Sequence, residues 1–299
     1  MATLDTSMLS IPGTSLGIIV DNAGSEGILG KLAPEKPTLF GPVKGATFGE
    51  TPRASIVGEK EAKPAADITL TPFTAEPVKL VVQVRTSDEF KWADEDWQLG
   101  IIDDLVAPAF GKSIGRAADL FAFHGINPAT GTVSQKAVKY LTQTTKSVEV
   151  ADKPTAEIVQ AVGLAGGTTN GLALDGGYAF SVATEVNPLT GAELNPGLGF
   201  GDFGAFKGLK AAKSTTVSGV PEMTDSKVRA LVGDWSQVRW GFQRNFPLEM
   251  VEYGDPDNTG RDLKGHNEIL LRSEAVIYVA IGDLNKFAKI TENSTKIVD

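Results

Sequence analysis

The sequence contains no cysteine. That excludes disulfides, thiolate nucleophiles and every cysteine-based zinc or iron–sulfur site. Histidine is nearly absent as well: His124 and His266 are the only two, so a multi-histidine metal centre is excluded and an imidazole base has two candidates. No run of about 18 apolar residues is present, and no basic start leads through an apolar run to a small-residue cleavage site. The reading is therefore a protein made in the cytosol with no membrane span. Basic residues are outnumbered, 28 Lys and Arg against 37 Asp and Glu, for a net charge of −9. Such a balance disfavours tight sequence-independent binding of nucleic acid, which works by displacing phosphate counterions with Lys and Arg. An acidic wall around DNA is compatible with it, because a container needs only not to adhere to its contents.

What is present is a 299-residue chain, 41% hydrophobic, long enough for one large or two ordinary domains. Residues 1–37 are rich in Gly, Pro, Ser and Thr with brief apolar runs, and read as an extended arm that cannot fold alone. From Thr38 to about Lys79 Pro and Gly punctuate short β-like runs at Ala46–Phe48, Ser55–Val57 and Ile68–Thr71, which predicts a long, protruding β-hairpin. A two-stranded ribbon is marginal in water unless it packs on something, so both segments point to neighbouring subunits. Val78–Arg85 reads as a strand.

The strongest element spans about Trp92 to His124. Leu99, Ile102, Val106, Ala109, Phe110, Ile114, Ala117, Leu120 and Phe121 keep three- and four-residue spacing, one apolar stripe of a helix. Asp94, Glu95 and Asp96 suit its positive end and Gly125 its stop; Pro108 should bend it. Residues 133–150 give no firm assignment. Pro154 opens a short helix to Leu164, a Gly-rich region follows from Gly163 to Gly208, and Gln237–Tyr253 and Glu268–Ile281 read as strands around a polar loop, Gly254–Gly265. Helices and strands are segregated, so the fold class is α+β.

Candidate chemistry dissolves on its context. Gly199-x-Gly201-x-x-Gly204 has the letters of a dinucleotide fingerprint but Asn195-Pro196-Gly197 where a buried strand should lead in. Gly111-Lys112-Ser113 lies inside the long helix, where no phosphate can be cradled, and Asp202-Phe203-Gly204 lacks the other kinase signatures. His124 is expected to cap the helix C-terminus; His266 lies in a polar loop with no serine elbow to serve. Asp94, Glu95, Asp96, Asp103 and Asp104 read as a solvated helix face, and no stretch satisfies the Asp-rich calcium-loop pattern. No catalytic residue, cofactor or metal is expected, and no enzymatic activity.

Arm, long hairpin, strand into a very long helix, Gly-rich lobe and returning strands, in that order, resemble the Hong Kong 97-like fold of tailed-bacteriophage major capsid proteins. Three stretches carry the resemblance: Phe73-Thr74-Ala75-Glu76-Pro77-Val78-Lys79-Leu80 running through Arg85-Thr86-Ser87-Asp88-Glu89, Gly233-Asp234-Trp235-Ser236-Gln237, and Asn267-Glu268-Ile269-Leu270-Leu271-Arg272-Ser273-Glu274. The resemblance implies an N-terminal arm (1–37), an E-loop (38–80), a P-domain (81–151) with its spine helix at about 92–124, an A-domain (152–228), and returning strands (229–299) mainly in the P-domain. It implies pentamers and hexamers closing into an icosahedral virion shell around double-stranded DNA, after a time in the host cytoplasm. Scaffolding protein, portal and a decoration protein are the partners it implies. In the type member an E-loop lysine bonds to an asparagine of another subunit with help from a glutamate. By resemblance Lys44, Lys60 or Lys63 would be the amine, Asn267 the amide and Glu274 the base; the plain alternative is that Asn267 and Glu274 only cap and solvate a strand. An encapsulin-like compartment shell is the nearest competing reading, and an α+β hydrolase a distant one.

Overall fold

A computed structural model describes residues 27–48, 54–65, 70–92, 94–196, 198, 201, 203–245 and 248–292. Most of the expected arm, the far parts of the expected hairpin and much of the Gly199–Gly204 motif lie outside the described residues.

Chain order begins with a short helix, α1 (Ile28–Leu32), then a hairpin of β1 (Val43–Phe48) and β2 (Leu70–Ala75), antiparallel from Val43↔Ala75 to Phe48↔Leu70. Ser55–Val57, expected as a strand, is irregular. No described strand pairs with it, and a β-rich sequence becomes a strand only within a ladder. β3 (Val78–Ser87) follows, two residues longer than the sequence suggested.

The long helix is present, in three joined pieces: α2 (Glu95–Ile101), a π-helical turn (Ile102–Val106) and α3 (Ala107–His124). It starts at Glu95, and Asp88–Trp92 forms a separate 3-10 turn. At about 1.5 Å per residue the helix is roughly 45 Å long. Pro108, which has no N–H and crowds the carbonyl four residues back, sits just after the π turn, whose extra residue absorbs the misfit without ending the helix. Ile102, Phe110, Ile114, Leu120 and Phe121 of the stripe are buried, and Gly125 (φ +67) ends the helix.

A small ribbon of β4 (Ile126–Asn127) and β5 (Thr132–Val133) follows the helix, and two sheets flank it. In the first, β13 (Glu268–Ile281) pairs along one edge with β3 and along the other with β12 (Glu249–Val251) and β11 (Val238–Asn245), all antiparallel. The second has the strand order β6-β14-β10-β7-β9-β8. Its members are β6 (Ser147–Glu149), β14 (Phe287–Thr291), β10 (Val228–Gly233), β7 (Gly171–Leu174), β9 (Leu209–Lys213) and β8 (Ala205–Phe206). α4 (Pro154–Ala165) and α5 (Gly176–Ala183) join its apolar face through Leu172, Leu174, Val232 and Ile290. The other face puts Ala173, Leu231 and Phe287 in the main core with the spine helix. Trp235 lies edge-on to both Phe123 and Phe287 at the seam (ring centroids 6.1 and 5.7 Å). β10 and β14 thus join the sheet of the Gly-rich lobe, while β11, β12 and β13 of the same stretch form the other sheet. β14 is short and ordinary in pattern, and only its register on β10 reveals where it goes.

Candidate functional site

The surfaces of interest are those the chain does not cover with itself, and the first question is how much of the arm and hairpin remains uncovered. Most of residues 27–33 do not. Ile28, Leu29, Leu32 and Ala33 are buried in the main core. The N–H groups of Ile28 and Leu29 donate to the two carboxylate oxygens of Asp119 on the spine helix, both at 2.9 Å. Beyond α1 the Trp240 Nε1–H donates to Ala33 O (2.9 Å), Lys36 N–H to Trp240 O (2.8 Å) and the Tyr278 hydroxyl to Lys36 O (2.7 Å). Gly241 is required there: a Cβ on it would lie 2.4 Å from Lys36 O. Of the segment expected as an arm, disordered or laid along something else, residues 27–36 thus lie along the chain's own body. Its last stretch is a clasp, because a compact apolar quartet finds a slot between helix and sheet that its Gly-rich surroundings hid.

Asp119 also accepts from the Thr216 hydroxyl at 3.3 Å. Burial pushes its carboxyl up to about 6 against the opposing pull of the two N–H donors, the Thr216 hydroxyl and Arg116. Arg116 itself pairs with Glu222 and donates to Thr215 Oγ1 (2.8 Å) and Val220 O (2.6 Å). His124, expected to cap its own helix, instead donates from Nε2 to Thr216 O (3.1 Å) and Val217 O (3.0 Å), and burial pushes its pKa down. Gly125 N–H satisfies Phe121 O, which leaves the ring free for the neighbouring lobe. Three side chains of one helix face thus grip the 214–222 segment.

The hairpin differs from the clasp. Among the described residues its root packs on the body, through Val43, Phe73 and Ala75 against Tyr278 and Ala280. Ile56 is fully exposed and Leu39 94% exposed, as expected of a ribbon that leaves its own chain. A groove of about 320 Å³ runs between that root, the spine helix and β13; its lining includes Phe73, Phe121, Val279, Lys136 and Lys139. A second exposed apolar region was not foreseen: Trp92, Trp97 and Leu105 are 77%, 53% and 64% exposed at the front of the spine helix. The available signal was that Leu105 falls off the apolar stripe.

None of the three lysines meets Asn267 or Glu274 in one chain. Lys44 is exposed on β1, while Lys60 and Lys63 are exposed in the 54–65 segment. Asn267 ends a 3-10 turn with φ +54, and its carbonyl accepts from Asp88 N–H at 2.8 Å. Glu274 sits seven residues along β13, roughly 23 Å away at strand rise, ion-paired to Lys79 at 2.7 Å. One subunit cannot bring amide and carboxylate to the same bond. His266 Nδ1 donates to Asp262 O (2.8 Å) within its loop, and Gly111-Lys112-Ser113 is helical.

A chain from Mycobacterium phage Ogopogo is 39% identical, with 89% of this chain and 92% of that one covered and a TM-score of 0.79. The chain belongs to the tailed-bacteriophage major capsid proteins. A Gordonia phage Cozz chain matches this capsid protein at 25% identity and TM-score 0.71, covering 90% and 87%. The capsid of an empty GTA particle shares the fold at 11% identity and TM-score 0.64, covering 90% of each chain. No protein-family model and no curated protein matches. The Hong Kong 97-like architecture and the structural role follow.

Proposed function

We propose that this capsid protein closes as pentamers and hexamers into an icosahedral shell around double-stranded DNA, without sequence-specific binding and without enzymatic turnover. The observation that carries the reading is the hairpin, whose apolar side chains such as Ile56 and Leu39 stand in water on a single copy. Exposed apolar ribbons are costly to a monomer, and contacts repeated around a closed ring compensate for them. The net charge of −9 suits an inner wall over which packaged DNA slides. Scaffolding protein, portal and a decoration protein are the partners this role calls for, and the virion is its location.

Electron microscopy and size-exclusion of the expressed protein test the reading. Closed shells, or pentamers and hexamers, are expected; a compact monomer that stays monomeric with its scaffold co-expressed would overturn it. Shells that carry an enzyme cargo in place of DNA would support the compartment reading instead. For covalent bonding through Lys44, Lys60 or Lys63 to Asn267, with Glu274 from a different subunit as base, particles boiled in detergent should give a ladder; a single 31.5 kDa band rules the bond out.

A further inference from the structure

The sheet built on β13 has two outer edges, and the chain treats them differently. Along β11 the pairing register shifts between Phe242 and Arg244, as at a bulge, and the clasp lies over the strand: Lys36 N–H donates to Trp240 O (2.8 Å) and Phe242 N–H to a Glu35 carboxylate oxygen (3.3 Å). Bulges and covering segments are how proteins stop an edge from pairing with another chain. β3 has neither. Its ten residues run against β13 without a register shift, from Val78↔Ile277 to Ser87↔Glu268, and no described strand pairs with its other side. The centre, Leu80–Val84, holds no charge, no Pro and no Gly, and Val81 and Val84 are half-exposed.

Beside that edge lies a trench, two adjoining cavities of about 220 and 200 Å³ between β3 and the spine helix; Leu80 and Ala117 line both, Val82 and Ile114 the larger. An extended segment added to β3 would lay every second side chain into it. The chain holds a run with the matching pattern, Leu16-Gly17-Ile18-Ile19-Val20-Asp21, outside the described residues. Set antiparallel to β3 with Asp21 opposite Lys79, it places Leu16, Ile18 and Val20 opposite Val84, Val82 and Leu80 on the trench side, and Ile19 opposite Val81 on the solvent side. A slip of one residue would turn Asp21 into the trench. Charge agrees with the pattern. Residues 1–30 contain Asp5, Asp21 and Glu26 but no Lys or Arg, whereas Lys79 stands on the edge and exposed Lys136 on the trench wall.

We propose that the outer edge of β3 is a docking strand for a second copy of this chain, which adds its Leu16–Asp21 there as an antiparallel strand in this register. The inference rests on the shell reading above. A second copy is the donor because of where the clasp sits. Asp119 holds Ile28 and Leu29, and at about 100° per residue it lies roughly half a turn round the spine helix from Ala117 and Phe121, which line the trench. The clasp of each copy is therefore seated on the side of the helix away from its own trench. Main-chain hydrogen bonds along the edge would supply affinity, and the alternate side chains in the trench the register.

The chain has no cysteine, so introduced thiols report only on each other. In Ile19→Cys with Val81→Cys the two thiols face one another across the added strand, at the Cα separation of about 4.5 to 5.5 Å that a disulfide spans. Shells of this full-length double variant, oxidised and run on a non-reducing gel, should give a ladder of linked copies that a reductant collapses. Ile19→Cys with Val82→Cys, whose thiols point to opposite faces, should give a single monomer band. A second measurement uses the unmodified chain: amides of residues 79–84 should exchange more slowly in shells than in unassembled subunits, and Ile18→Asp, which sets a charge in the trench, should remove that slowing. Should the double variant not assemble, the exchange measurement decides. Shells that show no ladder or no slowing overturn the docking, as do an oxidised monomer linked within one chain and dimers from Val81→Cys alone, the mark of two β3 edges meeting. A chain that forms neither shells nor capsomers overturns the shell reading itself, and the docking with it.

Discussion

Leu29→Ala should detach the clasp without unfolding the body. Leu29 is 1% exposed, between the spine helix and the sheets. Holding residues 27–36 costs about 1 to 1.5 kcal/mol of backbone entropy per residue, on the order of 10 to 15 kcal/mol in all. Against this stand three large buried side chains at about 2 kcal/mol each and the hydrogen bonds to Asp119, Trp240 and Tyr278 at about 1 kcal/mol each. The two sides cancel to within a few kcal/mol, so little free energy separates the seated clasp from the free one. Truncating a buried Leu to Ala costs about 2 to 5 kcal/mol, enough to tip that balance. Hydrogen exchange reads it directly: the Leu29, Ala33 and Lys36 amides, bonded in the native chain, should exchange as in an open segment while β10 and β13 amides stay protected, and trypsin should cut at exposed Lys31. If the clasp amides keep exchanging only with the whole molecule while its Tm falls, the clasp is an integral part of the fold and the reasoning fails.

Gly241→Ala should act on the same element from the other side. Its Cβ meets the Lys36 backbone carbonyl, which cannot swing away, at an expected cost of about 1 to 3 kcal/mol, checked by urea unfolding. Asp119 gives a pH signature. Its folded pKa of about 6 lies above the ordinary 3.8, so its penalty on the fold is absent below 3.8, grows as pH rises between the two values and is complete above 6. About two pH units at about 1.4 kcal/mol each is on the order of 3 kcal/mol. Urea midpoints from pH 7 to 4 should therefore climb for the native chain relative to Asp119→Asn; parallel curves would refute the assignment. His124 works the opposite way: its folded pKa is lowered, so its contribution is intact above 6.5 and is lost as pH falls below it, and His124→Gln should flatten that part of the curve.

The legible and illegible parts of this chain separate by the range of the interactions that fix them. The spine helix was readable because its stripe repeats within one element, and even Pro108 announced the turn that the π segment absorbs. The hairpin was readable from punctuation alone, in existence though not in extent, since Ser55–Val57 has the composition of a strand yet pairs with no described strand. The clasp was not, because four apolar residues become a folded segment only when Asp119, some 90 positions away in sequence, supplies acceptors for two N–H groups. β14 was missed for the same reason, its place being set by β10 and β6. Of the residues chosen for bonding between subunits, their separation along β13 is what sequence spacing could have shown, since seven residues of strand are long.

Asp119 stands where three parts of the molecule meet: the root of the arm, the spine helix and the turn that leads into the Gly-rich lobe. A carboxylate buried there is a poor source of stability, since burial raises its pKa more than its donors lower it. What it supplies is geometry. An apolar side chain of similar size would leave the N–H groups of Ile28 and Leu29 unpaired in the core, so the cheaper core would lose the clasp. Residues 27–33 are therefore pinned at one place between helix and sheet. A clasp with one fixed seat on the spine helix ties three parts of the subunit into a single arrangement, and that restriction is worth a costly buried charge.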